Sequence, residues 1–277
     1  MMPGKEIDVP KIIDHHGNER RLGLIPPNEE ARAIRNKSTS LTEFLVGRGM
    51  NLIPESQWGD IDHTGFFGDE FINDQKNCSG CVGWSAAGAE MATRAAMGMP
   101  FEKLSGAFIY AHINGGRDAG AMITDSMQAG MKYGYCLESE FNYPKLFQRQ
   151  IPKEAYDSAA TRQATNSFTI SSDEEFFTAI MLGFYPQFGV NASGSFGRFN
   201  SDGVCGITRG WANHSVYGRG MKKIKGNWCV YMPNSWNMWG PWNNGCAYVD
   251  RRGIILDDAY VHIAGEWNPD LIPTPVS

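Results

Sequence analysis

An α+β domain of two lobes is the fold class the sequence predicts, on three observations. Helix-periodic segments crowd the first half of the chain, and short apolar or alternating runs bounded by Gly, Asn or Pro crowd the second. Apolar residues are also plentiful: 42% of 277 residues are hydrophobic and 12% aromatic, too rich for disorder and enough for a substantial core. With 32 glycines and 14 prolines, turns must be frequent.

The elements follow in order. Residues 1–54 are charged and proline-punctuated and read as an extension on the main body. Its piece Glu29–Arg48 is amphipathic, and Phe44, Leu45 and Leu52 are its expected anchors. A helix is predicted over Cys81–Met97, stopped by Gly98 and Pro100, with Trp84, Ala87, Gly88, Met91 and Ala95 on one stripe. A second helix starts after Ser105, a natural N-cap. A third covers about Ala121–Tyr133, with Met127, Gly130 and Met131 on its inner face and Gly134 ending it. Strands are predicted at Tyr185–Ala192, His214–Tyr217, Trp228–Met232 and Ala247–Val249. The main domain is taken as 55–262 and the proline-bearing tail 263–277 as a surface strap. A cleft between the lobes is the expected ligand site.

Charge and cysteine content narrow the function classes. With 25 basic against 30 acidic side chains the formal charge is −5, unlike a surface built to coat nucleic acid. No run reaches the roughly 18 apolar residues a bilayer span requires. The first residues carry charges where a signal peptide carries its apolar core, so a cytoplasmic protein is expected. Six cysteines are too few for a disulfide scaffold, and free thiols are expected throughout. His15, His16 and His63 read as solvated, and Asp257-Asp258 as a solvated turn.

Chemistry concentrates in a few segments. In Asp74-Gln75-Lys76-Asn77-Cys78-Ser79-Gly80-Cys81, Cys81 opens a helix, where unpaired N–H groups and the helix dipole favour a thiolate. The same donors can face an oxyanion, and Gln75 can add a side-chain N–H. Zinc binding lacks a second ligand pair, a redox dithiol lacks its βαβ setting, and two buried small side chains are the bland alternative. His214 begins a predicted strand, and Asn234-Ser235-Trp236 lies twenty residues further on. A cysteine nucleophile needs a histidine to take its proton, and that histidine needs an orienting acceptor. Cys81, His214 and Asn234 supply those three residue types, with the Trp236 indole placed to shield the last two from water. No metal or cofactor motif is present.

These motifs resemble the papain-like cysteine peptidases, clan CA, family C1, of a bacterial or bacteriophage type. Gln75 through Cys81 keeps the family's Gln-x5-Cys spacing, Asn213-His214-Ser215-Val216 its histidine strand, and Asn234 through Gly240 its Asn-Ser-Trp segment. Leu104-Ser105, Phe108-Ile109-Tyr110, Asp118-Ala119-Gly120, Met131 through Cys136 and Tyr143-Pro144 match bacterial members. The resemblance implies a helical left lobe, an antiparallel barrel-like right lobe and a site in the cleft between them. It implies Cys81 as nucleophile, His214 as base and then acid, Asn234 as its orienting partner and Gln75 in the oxyanion hole. Gly120, Asn213 and Trp236 would contact a polypeptide substrate, and no cofactor is implied. Cell-associated or phage-associated roles are both compatible with it. Val82-Gly83-Trp84, Ser79-Gly80 and Ser215 differ from the usual family residues, and the Asn-Ser-Trp segment is one residue short. Those differences keep two alternatives open, a catalytically silent binding protein of the same fold and an amide hydrolase acting on cell-wall peptides.

Overall fold

The computed structural model describes residues 9–62 and 71–267; His63 and the tail from residue 268 lie outside them. The chain begins with a short antiparallel hairpin, β1 (Lys11–Ile13) and β2 (Glu19–Arg21), followed by α1 (Glu29–Lys37) and α2 (Leu41–Val46). Glu29–Arg48 is therefore two helices. Ser38 and Ser40 divide them, because Ser40 caps α2 in a capping box with Glu43.

Four helices form the first lobe: α3 (Cys81–Ala96), α4 (Gly106–Ile113), α5 (Ile123–Lys132) and α6 (Lys153–Ala159). Ser105 caps α4 as expected, its hydroxyl accepting from Phe108 N at 3.0 Å. The expected stripe on α3 is a correction: every residue from Cys81 to Thr93 is buried. Being wrapped by α4, α5 and the strands leaves this helix no solvent face, so periodicity alone misread it. Met131 is also corrected, standing 40% exposed while Met127 faces the core. Gly83 brings α3 and α4 together, since a Cβ there would strike the Gly106 carbonyl. Trp84 fills the space over Gly80 and Gly106.

The second lobe holds β3 (Asn166–Ile170), α7 (Asp173–Met181), β4 (Gln187–Val190), β5 (His214–Tyr217), β6 (Gly220–Ile224), β7 (Asn227–Pro233), β8 (Cys246–Asp250) and β9 (Ile255–Ile263). Two antiparallel sheets result, in orders β3-β9-β4-β5 and β6-β7-β8. Phe176, Phe188, Val230, Met232, Trp236 and Trp239 pack between them. The predicted strands appear, but β3, β6, β9, α6 and α7 went unseen in the sequence. Asp257-Asp258 lies within β9 rather than in a turn, and buried Asp258 accepts from Thr124 N at 3.1 Å. Tyr185, Tyr217 and Tyr260 project into the helical core and join the lobes. All six cysteines are free and buried.

Candidate active site

α3 and β5 bring two of the expected residues to the lobe junction. Cys81 is the first residue of α3 and His214 the first of β5, and both are fully buried. The backbone N–H of Ser215, the residue after His214, acts on the Cys81 thiol, opposing part of the rise that burial imposes on it. From the end of β7, Asn234 places its Oδ1 2.7 Å from His214 Nε2. With Nε2 so engaged, Nδ1 is the ring nitrogen left without a hydrogen-bond partner among the described residues. The Trp236 ring lies 4.6 Å from the imidazole, centroid to centroid, and is buried, as are Trp239 and Phe196 behind it. Trp236 is expected both to shield the His–Asn pair and to contact substrate; here it is buried against the imidazole, with the cleft filled by the chain's own residues.

Gln75 is held from both sides. Its Oε1 accepts from Ser235 Oγ at 2.6 Å, and its backbone N–H donates to Ser235 O. This aims Nε2 at Cys78 O, 2.7 Å away, and at Arg21 O, 3.2 Å away. Ser215, whose hydroxyl the sequence left unexplained, lies 2.8 Å from Ser85 Oγ, and Gln187 Nε2 donates to both hydroxyls and to Val82 O. One buried amide thus ties the turn that starts α3 to the strand carrying His214.

The sequence leaves residues 1–54 open as a partial plug, a docking arm or a clasp, and does not say which of them fill the cleft. Residues 22–25 cross it directly over Cys81. Ala121 N donates to Gly23 O at 2.8 Å, Ile25 N to Ala121 O at 3.0 Å and Leu24 N to Asn213 O at 3.1 Å. The segment runs parallel to its Ala121 partner. Gly23 must be glycine here, because a Cβ would collide with the Ser79 carbonyl, and its N–H also reaches the Cys81 sulfur. Leu24 abuts Gly189. The Asn213 carbonyl faces this segment through Leu24 N. Against the same segment the pairing atoms belong to Ala121, while Gly120, at φ +96°, lets Gly23 O approach.

Two arginines fasten this segment. Arg20 bonds Asp14 Oδ2 at 2.8 Å and Trp236 O at 3.1 Å, and Arg21 meets Asp118 Oδ2 at 2.9 Å. His15 is exposed, as expected, and its ring edge meets Phe199 and Trp239, so the hairpin sits on the aromatic wall. The electrostatic outcome is plain. Burial pushes the Cys81 thiol up to about 11 and pulls His214 down to about 4, the Asn234 bond opposing only part of the latter. In this state both groups are neutral near pH 7.

Among solved structures, xylellain, a cysteine protease from Xylella fastidiosa, is similar at 18% identity and a TM-score of 0.65, with 94% of this chain and 100% of that one covered. Digestive procathepsin L 3 from the larval midgut of Tenebrio molitor gives 15%, a TM-score of 0.63 and coverage of 93% and 83%. The fold is papain-like. The cysteine protease and lectin-like domains of Cwp84, a surface layer associated protein of Clostridium difficile, share this papain-like fold at 17% identity and a TM-score of 0.60, over 77% of this chain and 55% of that one. No protein-family profile and no curated protein matches the sequence. Among the described residues no helix is long and apolar enough to cross a membrane.

Proposed function

We propose that this chain is a cysteine endopeptidase whose N-terminal segment holds it latent. The observation that carries the reading is the His214 Nε2–Asn234 Oδ1 bond beside a cysteine at a helix N-terminus, with Gln75 Nε2 pointing at a carbonyl over the site. In the open enzyme Cys81 would attack the peptide carbonyl while His214 takes the thiol proton and then gives it to the leaving amine. Asn234 would keep the imidazole in the orientation that leaves Nδ1 free to take the thiol proton. Gln75 Nε2 and the Cys81 backbone N–H would stabilise the tetrahedral oxyanion, and water would then hydrolyse the thioester. Residues 21–25 oppose every step: Gly23 lies over the sulfur, the Arg21 carbonyl occupies Gln75, and the segment excludes the water that would solvate a thiolate–imidazolium pair.

A second reading has its own observation. A filled cleft and a neutral Cys81–His214 pair also suit a silent binding protein of papain-like fold. Labelling with a papain-directed epoxide, read by intact mass and peptide mapping, separates the two. Full-length wild type, Gly23→Trp and Gly23→Trp/His214→Ala are compared. The peptidase reading expects one adduct on Cys81, slow in wild type, fast in Gly23→Trp and lost without His214. Folded proteins that never label would move the assignment to the silent scaffold.

A further inference from the structure

The segment in the cleft bears information about what the open cleft would accept. Arg21 makes two contacts that belong together. Its carbonyl oxygen takes the Gln75 side-chain N–H at 3.2 Å, and its guanidinium reaches Asp118 Oδ2 at 2.9 Å. A residue whose carbonyl faces an oxyanion donor stands where the acyl side of a scissile bond would stand. We propose that Asp118 is the specificity-determining residue of this site and that the substrates are polypeptides with Arg or Lys immediately before the cleaved bond. The inference rests on the peptidase reading above.

Asp118 is built for such a role. Its other oxygen, Oδ1, accepts from Ser79 N at 2.8 Å and from Tyr110 Oη at 2.7 Å. Tyr110 Oη in turn accepts from Gly120 N at 3.1 Å. The carboxylate is therefore fixed between the turn before Cys81 and the strip that pairs with the cleft occupant, and Oδ2 is the oxygen left for an incoming cation. Both side chains of the Arg21–Asp118 pair remain about one-fifth exposed, so the cation site lies at the open rim of the cleft. When residues 22–25 leave, Asp118 loses the arginine that neutralises it and regains a carboxylate oxygen facing the groove.

The neighbouring arginine shows why this pair differs. Arg20 satisfies Asp14 of its own hairpin and a main-chain carbonyl, while Asp74, 3.4 Å away, is already matched by Lys76 Nζ at 2.8 Å. Arg20 thus anchors the hairpin and leaves no unneutralised acid behind. A planar guanidinium on a fixed carboxylate is the stronger recognition element, and an uncharged isostere forfeits it.

The test uses the full chain opened by Gly23→Trp and fluorogenic peptides that differ only in the residue before the reporter amide: Arg, Lys, citrulline, Leu or Glu. Citrulline keeps the shape of arginine and removes its charge. Arg is expected to exceed citrulline by roughly 10- to 100-fold in kcat/KM, with Lys closer to Arg than to citrulline. Asp118→Asn should shrink the Arg–citrulline gap to about threefold, a ratio read within one variant and so independent of any change in its overall rate. Equal cleavage of Arg and citrulline peptides by Asp118-intact enzyme that takes the epoxide on Cys81 would overturn the specificity assignment alone. No cleavage of any peptide together with no Cys81 adduct would overturn the peptidase reading beneath it. Because the Arg–citrulline comparison leaves Asp118 untouched, a misfolded Asp118→Asn variant does not rescue a failed proposal.

Discussion

The N-terminal extension contains two pieces that hold on to the body in different proportions. Residues 20–25 bury Leu22 and Leu24 and otherwise rely on main-chain hydrogen bonds and two arginines. Residues 41–61 are held chiefly by side chains: Leu41, Phe44, Leu45, Trp58 and Ile61 are buried in the second lobe, Phe44 against Phe168 at 4.1 Å and Trp58 against Phe177 at 4.6 Å. Main-chain bonds exchange readily for those of water or a competing peptide, so their net worth is small. Buried aromatic area has no such substitute. The lesson is one of degree: the later piece is fixed by its apolar area, and the earlier one depends more on polar contacts that a competing peptide can replace.

The largest effect should come from the later piece. Phe44→Ala and Leu45→Ala are each expected to cost about 2–5 kcal/mol of stability. Thermal or denaturant unfolding checks this, and values under about 1 kcal/mol would mean the two pieces do not differ as described. Next comes Gly23→Trp, which the Ser79 carbonyl cannot accommodate in the closed arrangement. It should raise the rate of Cys81 alkylation by roughly 10- to 100-fold with little loss of stability. Unchanged alkylation would show that residues 22–25 do not shield the sulfur.

Acidity probes the site beneath the earlier piece. Burial in the folded chain lowers His214 from 6.5 to about 4, so the unfolded chain binds the extra proton between those values. The contribution of this group to stability is therefore fully present above pH 6.5 and is lost as pH falls toward 4. Burial also raises Cys81 from 9.0 to about 11, so the unfolded chain loses its proton first and stability falls again as pH rises through that range. Stability to denaturant should be greatest between about pH 6.5 and 9. A monotonic profile would contradict the assignment. The smallest effect is expected from Arg20→Ala, which strips Asp14 of its partner and should speed Cys81 alkylation by about threefold to tenfold.

Legibility in the sequence followed physical range. Ser105, Gly134 and the proline after Cys81–Ala96 act within a few residues, and the helices begin and end near them. Gln75, His214 and Asn234 were singled out beforehand with Cys81, because thiol, imidazole and amide side chains are scarce and chemically distinctive; Gly23, Ser85 and Gln187 were not. β3, β6, β9 and α7 were missed; β9 illustrates why, since Asp257 and Asp258 read as solvated until Thr124 and α5 cover the second of them.

By itself, then, the sequence determined that a helical lobe precedes a strand-rich one and which chemical groups are available to a site, both encoded in local pattern and side-chain type. Only the tertiary structure decided that Gly23 lies on Cys81, that Ala121 rather than Gly120 does the pairing, that Trp236 is sealed away, and that Arg21 meets Asp118. The reason is that these contacts join residues from about twenty to more than two hundred positions apart, several through backbone atoms that every residue shares, and such atoms leave no mark in a sequence.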